Sequence, residues 1–174
     1  MKQHPHHLAA KLLTVCLLAT LLLAQSAVAA PAAQVTSAKL GYTLQVPAGV
    51  TSEIQHYAYA KSSQTREIAT ITGDGTEFVR LDVWDDVVAK DVAHWVRRDF
   101  AFLLDHAKWR ATRATANHSA AVELDLPMGQ TEPQLQLFWH SGHLWCRLTL
   151  VASSRPLARA AYALAAKTFA EAHK

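Results

Sequence analysis

The most suggestive run of reactive side chains is His140-Ser141-Gly142-His143-Leu144-Trp145-Cys146. Its spacing, H-x-x-H-x-x-C, is that of a possible metal site, because imidazole and thiolate both bind zinc. The run also predicts a β-hairpin with Ser141-Gly142 as a two-residue turn, and side chains alternate between the two faces of a strand. In that hairpin His140 lies opposite His143, and Cys146 points to the other face. A three-ligand metal site is therefore excluded by geometry.

The two histidines alone form a weaker candidate metal site. Cross-strand neighbours have Cβ atoms about 4.5–5.5 Å apart, so His140 and His143 are close enough to share an ion. Zinc requires three or four ligands, so the pair needs help from Glu123, Asp125 or a second molecule. We therefore expect no resident metal or other cofactor. A metal or small-ligand carrier that uses this pair stays open as an alternative.

The two faces of this hairpin differ in composition. One face is almost wholly apolar and consists of Leu135, Leu137, Trp139, Leu144, Cys146 and Leu148. On the other face the same turn pairs Phe138 with Trp145 and Gln136 with Arg147. Aromatic residues beside Arg are typical of protein-binding surfaces. The candidate partner-binding residues are Phe138, His140, His143, Trp145 and Arg147. The alternative is that a helix covers Phe138 and Trp145, which then belong to a second core layer.

Local motifs of the common enzyme classes do not occur in the sequence. It contains no G-x-S-x-G, no H-E-x-x-H, no glycine-rich phosphate loop and no EF-hand loop. Asp82, Asp85 and Asp86 form an acidic cluster, but no spaced series of calcium ligands follows it. Capping at the start of a helix explains this cluster more simply. We therefore expect a protein that binds and does not catalyse.

The first thirty residues have the pattern of a secretory signal peptide. Lys2 and Lys11 precede an apolar run over residues 12–24, and Ala27-Val28-Ala29 supplies the small side chains that a signal peptidase accepts. We predict a signal peptide over residues 1–29, cleavage after Ala29, and a periplasmic or secreted mature chain. The alternative is an uncleaved membrane anchor, since residues 12–30 are long enough to span a bilayer marginally.

Removal of this segment changes the charge of the protein. The whole chain has 17 Lys+Arg against 14 Asp+Glu, a net charge of +3. Loss of Lys2 and Lys11 leaves 15 basic residues against the same 14 acidic ones, so the mature chain is nearly neutral. Its basic residues form no stripe, so nucleic acid is not an expected partner. No second apolar stretch approaches the length of a membrane span, so we expect no membrane insertion of the mature chain.

Hydrophobic periodicity predicts strands on both sides of a central helix. Strand patterns cover residues 39–46, 53–60, 67–72, 77–84, 109–116, 120–126, 135–140 and 143–152, and helical patterns cover 92–107 and 157–172. The order ββββαββββα predicts an α+β domain with a largely antiparallel sheet of about eight strands and two main helices. We assign this single domain to residues 37–174, after a flexible leader at 30–36.

The early strand ends in Val46-Pro47-Ala48-Gly49, and the closing helix is rich in Ala, follows a Leu-rich strand and carries Phe169. Together with the order of elements, this pattern resembles the PsbP/DcrB-like α/β/α sandwich family over most of residues 36–172. The resemblance implies a layered sandwich with an antiparallel sheet between helices. It also implies an accessory role outside the cytoplasm, and it supplies no catalytic residues.

The sequence therefore predicts an exported, non-enzymatic accessory or binding protein of the bacterial-type cell envelope. Its expected partner is another envelope protein. An envelope immunity protein that neutralises a toxin is an alternative from a different class, beside the metal or small-ligand carrier. A third alternative is an enzyme of an unrecognised type, which only a moderate number of His and acidic residues supports.

Overall fold

The computed structural model describes residues 32–58, 65–112, 121–126 and 133–171, and for residues 58, 65 and 110–112 the backbone alone. The predicted signal peptide and the predicted strand ends at 59–60 and 113–116 lie outside the described residues. None of the helices formed by the described residues has the length and apolar character needed to cross a bilayer.

Ten strands and three helices form within the described residues. The strands are β1 (Ala33–Ser37), β2 (Tyr42–Val46), β3 (Thr51–Ala58), β4 (Thr65–Gly73), β5 (Thr76–Trp84), β6 (Lys108–Thr112), β7 (Ala121–Leu126), β8 (Gln134–Ser141), β9 (Leu144–Leu150) and β10 (Ala170–Glu171). The helices are α1 (Val92–Asp99), α2 (Ala101–Leu104) and α3 (Pro156–Thr168). The prediction of an α+β fold with antiparallel strands is confirmed, but the described residues form ten strands in two sheets and not about eight strands in one sheet. The expected single central helix is in fact two, because the backbone of Phe100 leaves the helical region at φ −123° and ψ 25°.

Two antiparallel sheets contain all ten strands. The larger has the order β3-β4-β5-β9-β8-β7-β6, and the smaller has the order β1-β2-β10. The expectation of a flexible leader at 30–36 is wrong for residues 33–36, which belong to β1 and pair with β2. The side chains of Val35 and Ser37 alternate into the interior and are buried, which explains why this segment is a strand.

Helix α3 and the small sheet cover one face of the large sheet. Pro156 occupies the first turn of α3, where its missing N–H costs no hydrogen bond. The helix buries a stripe of small side chains, which lets it pack close to the strands: Ala158, Ala161, Ala165 and Ala166. Phe169, just after the helix, lies with its ring centroid 5.3 Å from those of both Tyr42 and Trp139. Aromatic packing therefore closes this core at the end of α3.

Helices α1 and α2 lie on the opposite face. Asp91 caps the N-terminus of helix α1, and its side chain accepts a hydrogen bond from the backbone N–H of His94 at 2.7 Å. Trp95 is the centre of the core on this face. Its ring makes edge contacts, with centroids 5.2–5.8 Å apart, with four others: Trp84, Phe100, Phe138 and Trp145. One helical side chain therefore joins α1 to three strands of the sheet.

We predict that Trp95→Ala lowers the free energy of unfolding by about 3–5 kcal/mol, because a large aromatic side chain leaves a cavity among four rings. Urea unfolding followed by circular dichroism measures the change. Phe102→Ala is the matched control, since Phe102 is 67% exposed and we expect a change within about 0.5 kcal/mol. Equal losses in the two variants would contradict this account of the core.

Candidate binding site

The β8–β9 hairpin turns at Gly142-His143 and not at the predicted Ser141-Gly142. Gly142 has φ +55° at the first central position of the turn, a conformation that favours glycine. The predicted pairs are therefore wrong: His140 lies opposite Trp145, Phe138 opposite Arg147 and Gln136 opposite Thr149. Each partner moves by two residues, so the side chains of both strands keep their predicted faces.

The predicted partner surface is not exposed at its aromatic positions. Phe138 is 0% exposed and Trp145 is 9% exposed, because Trp95 and Phe100 pack over them. The expectation that these two residues offer a surface to a partner is wrong for this reason. They belong to a second core layer under a helix, which was the alternative interpretation of this face. Arg147 lies on the same face and is half-buried.

The two candidate metal ligands, His140 and His143, have separate neighbours. His143 Nδ1 lies 2.5 Å from Glu171 Oε1, whereas the ring of His140 packs 5.2 Å from that of Trp145. Glu123 and Asp125, the expected helpers, pair with Leu137 and Leu135 and so face the opposite side of the sheet from His140. Among the described residues no group of three or more His, Cys, Asp or Glu side chains could hold a metal ion.

Cys146 points into the core, as predicted. It is fully buried on the α3 face, and burial raises the pKa of its thiol well above the ordinary value. Since the thiolate is the reactive form, this side chain is chemically inert in the folded protein.

A buried carboxylate organises the α1 face of the sheet. Asp82 on β5 is 0% exposed, and Arg147 lies directly opposite it on β9. Arg147 donates through Nε and Nη2 to Asp82 Oδ2, at 2.9 and 2.7 Å. Arg66 from β4 donates to Oδ1, and Arg80 Nε lies 3.5 Å from the same oxygen. Three strands thus supply three guanidinium groups to one carboxylate, and we call these four residues the Asp82 centre.

Aromatic rings cover two of the three arginines of the Asp82 centre. The guanidinium carbon of Arg66 lies 4.8 Å from the centroid of the Trp84 ring, and that of Arg147 lies 5.1 Å from the ring of Phe100. Cations on aromatic faces are attracted to them, and the rings also keep water away from the ion pairs. Arg66 and Arg147 are therefore held in fixed positions.

A polar pocket of about 260 Å³ adjoins the Asp82 centre on the same face of the sheet. It is lined by Glu77, Arg80, Gln134, Gln136, Arg147, Thr149 and Val151. Its centre is a row across three neighbouring strands, because Thr149 of β9 pairs with both Arg80 of β5 and Gln136 of β8. We call this feature the sheet pocket. Its polar side chains are guanidinium, carboxamide, carboxylate and hydroxyl groups, which hold ligands by charge and by hydrogen bonds.

One polar atom of the sheet pocket, Oε1 of Gln136, lacks a hydrogen-bond partner among the described residues. Arg80 Nε makes no hydrogen bond either, but it has an ion-pair contact with Asp82 Oδ1 at 3.5 Å. Gln136 is only 5% exposed, and its Nε2 donates weakly to Gln134 Oε1 at 3.4 Å. A buried polar atom without a partner costs about 1–3 kcal/mol, so groups of this kind are rare unless they serve a ligand or a water molecule.

No local motif in the sequence indicates the sheet pocket. The sequence predicts that Asp82 belongs to an acidic cluster at a helix start, whereas Asp82 lies on β5 in the interior of the large sheet. One signal was available: Asp82 interrupts the strand Leu81-Asp82-Val83, whose three residues are all buried. A charged residue in such a strand indicates a buried ion pair. The three arginines come from separate strands, so no local motif links them to it.

No family model and no curated protein matches the chain.

A second buried carboxylate lies on the α3 face. Glu67 of β4 accepts a hydrogen bond on Oε1 from Ser37 Oγ at 2.8 Å, and His56 Nδ1 lies 2.9 Å from the same oxygen. Ser37 Oγ also accepts from the backbone N–H of Leu40 at 3.0 Å. These contacts join β1 of the small sheet to β3 and β4 of the large one. Burial, and then the nearby Glu67 carboxylate, raise the pKa of Tyr42 far above 10.

We predict that Asp82→Asn lowers the free energy of unfolding by about 3–5 kcal/mol, because it leaves buried cations without their counter-charge. Chemical denaturation at neutral pH measures the change. Asp99→Asn is the matched control: Asp99 also pairs with an arginine, Arg98, but its side chain is 37% exposed. Water screens that pair, so we expect a loss below about 1 kcal/mol. A small effect at Asp82 would show that the centre does not support the sheet.

We predict that the protein loses stability in alkali through two buried phenols. Burial raises the pKa of Tyr42 and of Tyr162 above the ordinary 10.0. The folded chain therefore holds these protons more tightly than the unfolded chain. The resulting stability is fully present below pH 10 and falls as the pH rises above it, by up to about 1.4 kcal/mol per pH unit for each phenol.

Urea midpoints at several pH values between about 8 and 11 test this alkaline loss. The double variant Tyr42→Phe with Tyr162→Phe flattens the dependence, whereas Tyr57→Phe, at a 42% exposed side chain, leaves it as in the wild type. If the double variant loses stability as steeply as the wild type, other groups cause the alkaline effect.

Proposed function

We propose that this chain is an exported, non-enzymatic accessory protein of the bacterial-type cell envelope, and that it acts by binding another protein. The basic, apolar and small-residue pattern of residues 1–29 supports export. The resemblance of the element order to the PsbP/DcrB-like sandwich family supports an accessory role outside the cytoplasm.

The sheet pocket is the observation that carries the binding function. It presents Arg80 and Gln136 beside Thr149, all three on one rigid sheet. Arginine is enriched in protein-binding surfaces because its planar group makes several hydrogen bonds at once. Arg147, one of the predicted partner-binding residues, lines the same pocket. The binding surface we propose is thus centred on Arg80 and Arg147, while Phe138 and Trp145 support it from the neighbouring core.

A small-ligand carrier is the second candidate function. The observation that favours it is the volume of the sheet pocket, about 260 Å³, which is below the range of drug-sized sites and suits a molecule of amino-acid size. The ligand then lies at the sheet pocket and not at the histidine pair, whose members have separate neighbours.

Photo-crosslinking in the cell tests the protein-binding function. A photoreactive residue replaces Gln134 at the sheet pocket, and in a second strain it replaces Arg159 on α3, at the opposite face. We expect a crosslinked protein from position 134 alone, in the periplasmic fraction, with the crosslinked chain shortened by its first 29 residues.

The variant Arg80→Gln, combined with the photoreactive residue at position 134, gives the matched comparison. We expect it to reduce the crosslink strongly, because it removes a positive group from the sheet pocket, while Arg66 and Arg147 continue to pair with the buried Asp82. An undiminished crosslink would place the partner elsewhere on the surface. Absence of any crosslinked protein from position 134 would overturn the proposed protein-binding function.

A further inference from the structure

We infer that the sheet pocket binds a carboxylate group with an adjacent N–H donor, the chemistry of the C-terminal end of a peptide chain. This inference rests on the proposed binding function, since it names the chemical group that the pocket receives. Two kinds of molecule carry these groups: a short free peptide and the chain end of a protein partner.

Arg80 is the residue that receives the carboxylate. Its side chain is 40% exposed and lines the sheet pocket, and its ion-pair contact with Asp82 is long, at 3.5 Å from Nε to Oδ1. Arg147, in contrast, already makes two short hydrogen bonds to Asp82. The guanidinium of Arg80 therefore keeps the donors needed for a two-point contact with a carboxylate.

Charge balance selects a singly charged anion. The Asp82 centre and the pocket lining together contain Arg66, Arg80 and Arg147 against Asp82 and Glu77. Three cations and two carboxylates leave one net positive charge, which a carboxylate neutralises. A phosphate monoester, with nearly two negative charges, overcompensates it beside Glu77.

Gln136 supplies the second half of the recognition. Its Oε1 is a buried acceptor without a hydrogen-bond partner among the described residues, and it lies one strand beyond Thr149 in the row that begins at Arg80. Thr149 alone separates Arg80 from Gln136 in this row, and both side chains line the sheet pocket. A peptide end bound between the two side chains places its carboxylate at Arg80 and an amide N–H at Gln136.

Isothermal titration of the purified chain tests the inference with two probes that differ in one charge. The first is N-acetyl-alanyl-alanine, which has a free carboxylate and two N–H groups, and the second is its C-terminal amide. We expect the acid to bind with a Kd of about 1 mM or lower and the amide at least about tenfold more weakly. A 20-residue peptide with the same C-terminal sequence represents the chain end of a protein partner. Tighter binding of this peptide than of the short one indicates that the natural ligand is a protein chain end.

Three variants identify the side chains that bind the carboxylate. Arg80→Gln weakens binding of the acid at least about tenfold, and Glu77→Gln strengthens it, because that change removes a negative charge from the pocket. Arg159→Gln on the opposite face leaves the affinity unchanged. Opposite effects at Arg80 and Glu77 cannot result from a general loss of folding, which weakens binding in both variants.

Equal affinity for the acid and the amide, no binding of the acid up to about 10 mM, or an unchanged affinity in Arg80→Gln would overturn the inference. Acetate that binds as tightly as the acid would overturn the role of the N–H group. Crosslinking without binding of either peptide refutes the carboxylate inference and leaves the protein-binding function standing. Peptide binding without any crosslinked protein refutes the protein-binding function and supports the small-ligand carrier.

Discussion

A carboxylate in the middle of a sheet is tolerated only if nearby cations neutralise it, because a buried ion without a partner costs several kcal/mol. Asp82 imposes this requirement here. Arg66, Arg80 and Arg147 meet it from β4, β5 and β9, so the register of these three strands is tied to one side chain. The rings that cover the arginines come from Trp84 and from the residue after α1, which links the ion pairs to the packing of that helix. Two of these cations, Arg80 and Arg147, also line the sheet pocket.

The large sheet therefore has two faces that are organised by different chemistry. On the α1 face, cations and aromatic rings surround Asp82. Polar side chains on the same face line the adjoining sheet pocket. On the α3 face, Glu67 is held by Ser37 and His56, which come from two different sheets, and the surrounding core is apolar. The Glu67 contacts serve assembly of the two sheets. The Asp82 centre serves assembly too, but its outermost cation, Arg80, remains accessible to a ligand.

Alternation along the chain predicted eight strands and two helical regions, because side chains must follow the period of the element that buries them. It did not predict β1 and β10, whose short patterns form strands only where β2 is present to pair with them. It placed the β8–β9 side chains on the correct faces but with the wrong partners. With Gly142 at the first central position, the turn requires a positive φ from this glycine alone, and neither Ser141 nor His143 has to adopt one. The aromatic face looked like a partner surface, since one hairpin cannot show that Trp95, more than forty residues earlier, covers it.

The sequence by itself determined the α+β class, the antiparallel strands, the buried position of Cys146 and the face on which each hairpin side chain lies. These properties depend on local periodicity, which short segments of the chain contain in full. Only the tertiary structure decided that Phe138 and Trp145 are core residues, that His140 and His143 have separate neighbours, and that three arginines surround Asp82. Each of these outcomes requires contacts between strands and helices that are distant along the chain, and no local pattern records which of them will meet.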